Sequence, residues 1–384
     1  MRRLHLLGIG ALLGLMLSAL PASASSAPKV PDDSVTWRFG VDSTFGGTRF
    51  DGAYVASEGL VYFLGFRTFG DATDGSIWTY DPVARTYADT GIDMLVPISN
   101  YAIAVLEDTH GLGLYVFGGR DANGAILTTV QVFYPALSQV RVINTDPWPG
   151  TTPSACVSLP AMGVAVVQNK AIVMGGASFG TSNPPCVDDN SAQTWFFDPM
   201  AAAGARWTQG ADLTMARGYI TPAVLGSKVY AIGGDVNPGG GQLTPQSIVE
   251  VSKAFGPAWS DVAATDLPEA CDESQAFAFT SGALEGDLVL AGCGQWPNAN
   301  PNSYIYDTVA KTWTLTGLLR EPVRNHAGVL LPGRTMYILG GYDCPGNLCL
   351  GDPAVKSEIG KGGLLVDVSP SVPGAAGDAT PPTN

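Results

Sequence analysis

Short apolar runs recur along the chain, and six of them end at a glycine. One is "RTMYILGGYD", Arg334 to Asp343, in which a run of aromatic and aliphatic residues leads directly into Gly340 and Gly341. Short apolar runs that are closed by glycine are typical of buried β-strands. Apart from its first residues, the chain has no long stretch with the helical period of about 3.6 residues. The pattern therefore predicts an almost entirely β protein.

The glycine-ended runs keep a regular spacing. The five earlier runs are "VYFLGF", "LYVFGG", "AIVMGG", "VYAIGG" and "LVLAGC", and the first glycines of all six stand at positions 65, 118, 175, 233, 292 and 340. The intervals between them are 53, 57, 58, 59 and 48 residues. A repeat of this size that holds several short strands is typical of a propeller blade. The spacing therefore predicts six blades.

A second strand-like segment follows in several units, ends near an aspartate and leads to an aromatic residue. Examples are "IWTYDPVARTY", "TWFFDPMAAAGARW" and "YIYDTVAKTW". With these aromatic positions and the glycine pairs, the stretch from about residue 35 to 370 resembles the kelch-repeat family, although Phe66, Cys293 and Val140 depart from its pattern. The resemblance implies an all-β, six-bladed kelch-type β-propeller. Its glycines are expected to permit close backbone approach where strands converge near the axis.

The two ends of the chain complete the domain plan. The first residues, "MRRLHLLGIGALLGLMLSALPASA", combine two arginines, a short apolar run and an A-x-A site, as a secretory signal peptide does. The sixth unit lacks an outermost strand, and "SVTWRF", Ser34 to Phe39, is predicted to supply it, with Trp37 in the aromatic position. The predicted divisions are a signal peptide at 1–24, a linker at 25–33, the propeller at 34–370 and a disordered tail at 371–384.

The leader and the charge limit the partners. A protein with this leader is predicted to be secreted or periplasmic, without membrane insertion after the leader is removed. The formal net charge is −14, and it becomes −16 without residues 1–24, which carry two arginines and no acid. So acidic a surface repels nucleic acid, and no run of Lys or Arg makes a basic patch. A nucleic-acid partner is therefore not expected, and the oligomeric state stays open.

The six cysteines form an even set, which favours disulfides in an exported chain. Sequence alone allows 15 pairings. The repeat register reduces the number of plausible pairings, because each of three repeat units contains two cysteines. The predicted pairs are Cys156 with Cys186, Cys271 with Cys293, and Cys344 with Cys349.

Three arginines stand in the same register. Arg49, Arg217 and Arg324 each precede the first glycine of their unit by 16 residues, which predicts equivalent positions at the start of an inner strand. Guanidinium groups at a channel mouth could bind a carboxylate, sulfate or phosphate through paired hydrogen bonds. The alternative is that each arginine only satisfies nearby carbonyls or an aspartate.

Other candidate side chains lie in the long loops that a propeller places on the same face. These predicted loops are 67–75, 120–128, 177–192, 235–246, 294–302 and 342–362. Loops that are long and variable mark this face as the functional one. The residues expected to extend an arginine pocket are Arg67, Arg120, His326, Trp296 and Tyr342.

Two enzymes of similar fold give weaker expectations. Galactose oxidase holds copper through histidines and tyrosines, but here only His110 and His326 remain after the leader, so neither a copper site nor another metal site is predicted. The bacterial sialic-acid mutarotase carries an acid in its fourth-blade loop and an arginine six residues later. In this chain Asp235 matches the acid, whereas Gly241 replaces the arginine. Asp235 could equally serve a turn.

Calcium, nucleotide and hydrolase motifs are not found. "RDANG", Arg120 to Gly124, lacks the full pattern of a calcium loop, and no P-loop or Gly-x-Ser-x-Gly elbow is present. No cofactor and no catalytic residue is assigned. The sequence predicts a binding module for an extracellular glycan or protein, with an enzyme acting on an acidic sugar as the alternative.

Overall fold

The computed structural model describes residues 35–68, 72–161, 163–180, 186–239, 242–262, 265–343 and 356–362. Within this part of the chain there are 28 strands and two short 3-10 helices, Pro135–Leu137 and Pro332–Arg334. No helix in the described segments is long and apolar enough to cross a membrane. The predicted signal peptide, linker and tail lie outside the described residues.

Six antiparallel sheets of four strands each make up the molecule. Numbered from the inner to the outer strand, blades 1 to 3 are β2 (Gly52–Val55), β3 (Leu60–Arg67), β4 (Thr73–Asp81), β5 (Thr86–Asp93); β6 (Ala102–Asp108), β7 (Gly111–Phe117), β8 (Val130–Tyr134), β9 (Gln139–Val142); and β10 (Val164–Val167), β11 (Lys170–Met174), β14 (Thr194–Phe197), β15 (Trp207–Gln209). Blades 4 to 6 are β16 (Thr221–Leu225), β17 (Lys228–Ile232), β20 (Val249–Lys253), β21 (Ser260–Asp261); β22 (Gln275–Ala278), β23 (Asp287–Ala291), β24 (Ser303–Asp307), β25 (Thr312–Leu315); and β26 (Ala327–Leu331), β27 (Thr335–Leu339), β28 (Ser357–Gly362), β1 (Val35–Phe39).

Two further hairpins stand between second and third strands. They are β12 (Ala177–Ser178) with β13 (Asp189–Asn190) in blade 3, and β18 (Asp235–Gly239) with β19 (Gln242–Pro245) in blade 4. The sequence treated both segments as loops. The third strand of blade 6 also lies inside a predicted loop, 342–362, because its residues lack the aromatic pattern of the other third strands.

The inner strands of successive blades lie side by side, and the strand of blade 6 lies beside that of blade 1. This arrangement confirms the six-bladed, all-β propeller. Tyrosines three residues before the glycine pack on the third strand of the next blade at four junctions. The ring-centroid distances are 5.6 Å for Tyr62–Phe133, 5.6 Å for Tyr115–Phe197, 6.1 Å for Tyr230–Tyr306 and 4.7 Å for Tyr337–Tyr80. Such aromatic pairs fill the space between blades as it widens outward.

The ring is closed by the first strand, as predicted. β1 pairs with β28 over five residues and forms the outermost strand of blade 6. Trp37 faces Gly360, where a side chain would come within 2.8 Å of the indole, so the glycine makes room for the tryptophan. Trp37 is buried with Phe277 and Met336. The closure therefore rests on packing as well as on backbone pairing.

Two predicted disulfides are confirmed. Cys156 is bonded to Cys186, with a Cα–Cα distance of 5.6 Å, and Cys271 is bonded to Cys293, at 4.8 Å. Both join the segment before an inner strand to the segment after the second strand of the same blade. The third predicted pair, Cys344 with Cys349, lies outside the described residues.

Candidate binding site at the channel mouth

One end of the propeller carries a short backbone bridge in every blade. In each, the second residue after the first glycine pairs with a residue just before the inner strand. The pairs are Thr48–Arg67, Ser99–Arg120, Leu159–Ala177, Gly218–Asp235, Asp272–Gly294 and Arg324–Tyr342. Four candidates from the sequence, Arg67, Arg120, Asp235 and Tyr342, therefore occupy the same position in four blades.

The residue after the bridge has a left-handed backbone in five blades and forms what we call the inner ring. Its members, with their φ values, are Arg49 (55°), Asn100 (52°), Tyr219 (50°), Glu273 (49°) and Asn325 (54°). Left-handed residues other than glycine are uncommon and cluster at functional sites. The inner ring and the bridging residues together are called the channel mouth below.

Backbone hydrogen bonds join neighbouring members of the inner ring. The N–H of Asn325 donates to Glu273 O at 3.0 Å, that of Arg49 to Asn325 O at 2.9 Å, and that of Asn100 to Arg49 O at 2.7 Å. Asn100 Nδ2 also donates to Tyr219 Oη at 3.2 Å, from blade 2 to blade 4. These bonds join the inner-ring residues of five blades around a shared axis.

The prediction that the three arginines are equivalent is wrong. Arg49 belongs to the inner ring, Arg324 stands one residue before it, and Arg217 stands two residues before it. The reason is hairpin length. The first and second strands are joined by residues 56–59 in blade 1, 226–227 in blade 4 and 332–334 in blade 6, so an equal count back from the glycine reaches different positions.

Arg217 lies inside blade 4 with a fully buried side chain. Its Nε donates to Gly233 O at 2.7 Å, its Nη2 to Ala231 O at 3.0 Å, and its Nη1 to Met215 O and to the carboxylate of Glu250. All three nitrogens thus have protein acceptors. The arginine joins strand ends and has no nitrogen left for a ligand. This agrees with the alternative that such an arginine only satisfies nearby carbonyls and an acidic residue.

Arg324 and Arg49 do come together, around Tyr342. The guanidinium carbons lie 4.7 Å and 5.5 Å from the centroid of that ring. Arg324 also lies 4.7 Å from the ring of Trp296 and donates from Nη1 to Glu273 Oε2 at 2.9 Å. Trp296 is partly exposed, so this cationic and aromatic cluster extends from the inner ring towards the solvent.

Arg67 and Arg120 continue the positive side of the mouth through blades 1 and 2. Arg67 Nε donates to Ser99 Oγ at 3.0 Å. Arg120 lies 4.2 Å from the ring centroid of Phe179 and is partly exposed. Blades 6, 1 and 2 thus place four arginines at the mouth.

Carboxyl groups occupy the other side. Asp235 of blade 4 and Asp272 and Glu273, just before blade 5, are all buried. Burial raises the pKa of Asp235 well above its usual value, and the charges of Asp272 and Glu273 raise it further. Burial also raises the pKa of Asp272 well above its usual value, and the charge of Glu273 adds to this.

Tyr219 lies between the two sides. Burial raises the pKa of its phenol, the positive charges of Arg120 and Arg49 lower it, and the negative charges of Glu273 and Asp235 raise it. The phenol therefore senses arginines and carboxyl groups at once. A ligand that reaches Tyr219 would contact both halves of the mouth.

The two extra hairpins form a wall on the side of blades 3 and 4. Asn237 donates from its backbone N–H to Asn190 Oδ1 at 2.6 Å and from Nδ2 to Ser178 O at 3.0 Å. The Cys156–Cys186 disulfide ties the segment just before β13 of the blade 3 hairpin to the segment before β10. Asp235 is the first residue of β18 and stands at the base of this wall.

His326 follows Asn325 but does not reach the mouth. Its side chain is fully buried against Gly292 and Gly341, where any added Cβ would come within 2.9 Å of the histidine. Burial lowers the pKa of His326 to about 4, so the ring is neutral at physiological pH. It packs between blades.

Among the described residues, the group closest to metal-ligand geometry is Glu269 with Cys271 and Cys293. The two sulfurs are joined in a disulfide and have no thiolate to offer. The Glu269 carboxylate accepts hydrogen bonds from Gln295 and Tyr304, at 2.9 and 2.6 Å. The cluster therefore braces the loop after blade 5's second strand.

Asp272, Glu273, Tyr219 and Asn100 were not found from the sequence. They stand just before inner strands, at a position whose distance from the glycine changes with the hairpin. Counting back two residues from the first residue of the inner strand reaches Asn100, Tyr219, Glu273 and Asn325, whereas Asp272 and Arg49 stand three residues before their strands.

Comparisons with known proteins agree with the blade pattern. No family model matches the chain. Beta-scruin of Limulus polyphemus is 32% identical over 147 residues, and alpha-scruin of the same animal is 27% identical over 144 residues. Each match covers 37% of this chain but only 14% of the scruin, so the chain corresponds to a small part of those proteins.

A solved structure described as "Structure of YjhT" is similar in fold. It superposes with a TM-score of 0.60 and 14% identity, covering 80% of this chain and 94% of the other. At that identity the likeness concerns the fold alone. With six registered glycine phrases, six four-stranded blades and these similarities, the chain has the fold of a six-bladed, kelch-type β-propeller.

Proposed function

We propose that the protein is an exported binding module that recognises an acidic glycan at its channel mouth. The observation that carries this proposal is the gathering of Arg49, Arg67, Arg120 and Arg324 at one end of the axis, in a chain whose formal net charge is −14. Arginine forks suit carboxylate and sulfate groups.

The charge balance of the mouth supports an anionic ligand. Of the three nearby carboxyl groups, Glu273 is paired with Arg324, while the raised pKa values of Asp235 and Asp272 favour their neutral forms. Among the described residues of the mouth, the four arginines thus outnumber the ionised carboxylates, although the whole chain is acidic. Such a contrast concentrates anions at one place.

The aromatic residues and the disulfides support the other parts of the proposal. Trp296 is partly exposed beside the arginines, and a ring there offers an apolar face to a sugar. Two disulfides are consistent with an oxidising compartment outside the cytoplasm. An exported protein meets glycans there.

A glycan array with matched pairs tests the proposal. Each acidic glycan, ending in a uronic acid, a sialic acid or a sulfated sugar, is printed beside its neutral core. We expect retention of acidic members only. If no acidic glycan is retained above its neutral core, the proposal is wrong.

Two variants test the arginines without disturbing the fold, because other blades carry the replacement residues. Arg49→Asn gives blade 1 the inner-ring residue of blades 2 and 6, and Arg120→Ala gives blade 2 the residue of blade 3. Each should weaken binding by about tenfold or more, as expected for a lost charged hydrogen bond. Arg38→Ala, on the exposed outer strand, is the control and should bind normally. Unchanged binding by both mouth variants, with intact melting curves, would contradict the site.

A second candidate function, acid–base catalysis on an acidic sugar, is favoured by one observation. Asp235 is buried at the mouth with a raised pKa, and a neutral carboxyl group can donate a proton. Exchange between anomers of acidic sugars, followed by NMR, tests it. A rate equal to the uncatalysed control removes this candidate and leaves the binding proposal standing.

A further inference from the structure

Asp235 stands apart from the other buried carboxyl groups of the described residues. Its side chain is 0% exposed, and neither carboxyl oxygen has a hydrogen-bond partner among the described residues. An ionised carboxylate without a partner is costly in such a place, so the group keeps its proton or waits for a ligand atom. The backbone of Asp235 is held by its bridge to Gly218, just before the inner strand of blade 4.

Two acidic groups, Asp272 and Glu273, face Asp235 from the start of blade 5, and the neutral phenol of Tyr219 approaches it from the start of its own blade. Glu273 is bound by Arg324 at 2.9 Å. Asp272 has only long contacts of 3.4 Å from the backbone N–H of Trp296. Asp235 and Asp272 are thus the two carboxyl groups of the mouth without a close ionic partner in the described structure.

We propose that the buried Asp235 keeps its proton in the free protein and that the mouth takes an acidic glycan only while this proton is in place. The inference rests on the proposed function and adds its regulation. With the proton present, Asp235 donates a hydrogen bond to a hydroxyl or carbonyl oxygen of the sugar, while the sugar's carboxylate faces Arg49 and Arg120. When the pH rises, the proton leaves to the solvent, and the new negative charge repels the sugar.

The proposal predicts that binding weakens as the pH rises. Galacturonate is the probe, because its own carboxylate stays ionised from pH 5.5 to about pH 8, with a pKa in the range of ordinary carboxyl groups. Calorimetry should show a dissociation constant that rises with pH, by up to about tenfold for each pH unit above the point at which Asp235 loses its proton. Galactose, which has no carboxylate, is the neutral control at both pH values.

Asp235→Asn separates the proton from the shape of the site. The amide is neutral at every pH and keeps a donor, so this variant should bind galacturonate at pH 8 as the wild type does at pH 5.5. Asp235→Leu removes the donor and should lose binding at both pH values. Asp307→Asn is the control, because Asp307 caps a turn at the opposite end of blade 5, and its pH profile should match the wild type.

Carboxyl 13C NMR of the free protein gives a reading that needs no ligand. The carboxyl signal of Asp235 is identified by its loss in Asp235→Asn. In the wild type this signal should remain in the protonated range near neutral pH. If that carboxyl titrates below about pH 5, near the ordinary value, the inference is wrong. It is also wrong if galacturonate binds equally well from pH 5.5 to pH 8. Failure of wild type to prefer galacturonate to galactose at pH 5.5 contradicts the proposed function instead.

Discussion

Residues at one equivalent position perform the same role through different side chains in different blades. Gln131, Glu250 and Glu358 stand on the third strands of blades 2, 4 and 6, each opposite the residue two before the glycine. All three bind the segment that arrives from the preceding blade. Gln131 exchanges two hydrogen bonds of 2.9 Å with the backbone of Val96. Glu358 accepts the N–H groups of Arg320 and Glu321, both at 2.8 Å.

Whether the third-strand residue has a cationic partner depends on one neighbouring position, that of Arg217 in blade 4. Blade 4 pairs Glu250 with Arg217, whereas blades 2 and 6 have Ile98 and Val323 at the position of Arg217. Glu358 therefore has no arginine at that position, and burial raises its pKa to about 7. Blade 2 solves the same problem with a neutral amide.

Replacing Arg217 tests this residue-level exchange. Arg217→Ile leaves Glu250 buried without its cation and should cost about 3–5 kcal/mol of unfolding free energy. The double variant Arg217→Ile/Glu250→Gln copies the pair of blade 2 and should recover most of the loss. Chemical denaturation measures both. Equal stability of the single and double variants would show that the ion pair is not the source of the effect.

The candidate site was predictable only in part at this scale. Arg67, Arg120, Asp235 and Tyr342 lie beside the glycines, whose register is fixed, so their shared position follows from sequence. The position of Arg217 was not predicted correctly, because the count from the glycine to this arginine crosses a hairpin whose length differs between blades. The burial and pairing of carboxyl groups such as Asp272 depend on contacts between blades, which no local pattern encodes.

Single strands and hairpins follow from local pattern more closely than the site does. The apolar run before each glycine predicted the second strands, and the missing outermost strand of the sixth unit predicted the role of β1. The hairpins β12–β13 and β18–β19 were missed, because strands of two to five residues give little alternation. Their lock through Asn190 and Asn237 is again a contact between blades.

Removing the closing strand should open the ring. Deletion of residues 34–39 strips β28 of its partner and exposes the pocket that holds Trp37. The melting temperature should fall sharply, since an unpaired edge and a lost tryptophan both destabilise the blade. Deletion of residues 25–33 alone is the control. A melt unchanged by the longer deletion would mean that the ring does not need this latch.

The whole molecule follows from the repeat. Six glycine phrases at near-equal intervals predicted six blades before any strand was placed, since each blade needs its neighbours to bury its faces.

The buried acidic groups of the molecule also have a consequence at this scale. Asp51 and Glu358 have pKa values raised to about 7 by burial, and Asp235 and Asp272 are raised as well.

Stability should therefore fall as the pH rises from about 4.5 to above 7. A carboxyl group with a raised folded-state pKa binds more protons in the folded than in the unfolded chain within this window, so unfolding becomes easier as the proton is lost. The melting temperature should be higher at pH 5.5 than at pH 7.5, and Glu358→Gln should narrow the difference. A melting temperature that rises with pH across this window would overturn the assignment.

The latch between β1 and β28 gives the propeller a mechanical character. The two strands run antiparallel, and Val35, the first residue of β1, stands opposite Gly362, the last residue of β28. Both flanking segments therefore leave from the same end of the pair. Force that draws these segments apart would load the cross-strand bonds one after another, as in opening a zipper, instead of shearing all five residue pairs together. A pull on these two segments would thus open the ring at the β1–β28 pair with less force than shearing the pair would need.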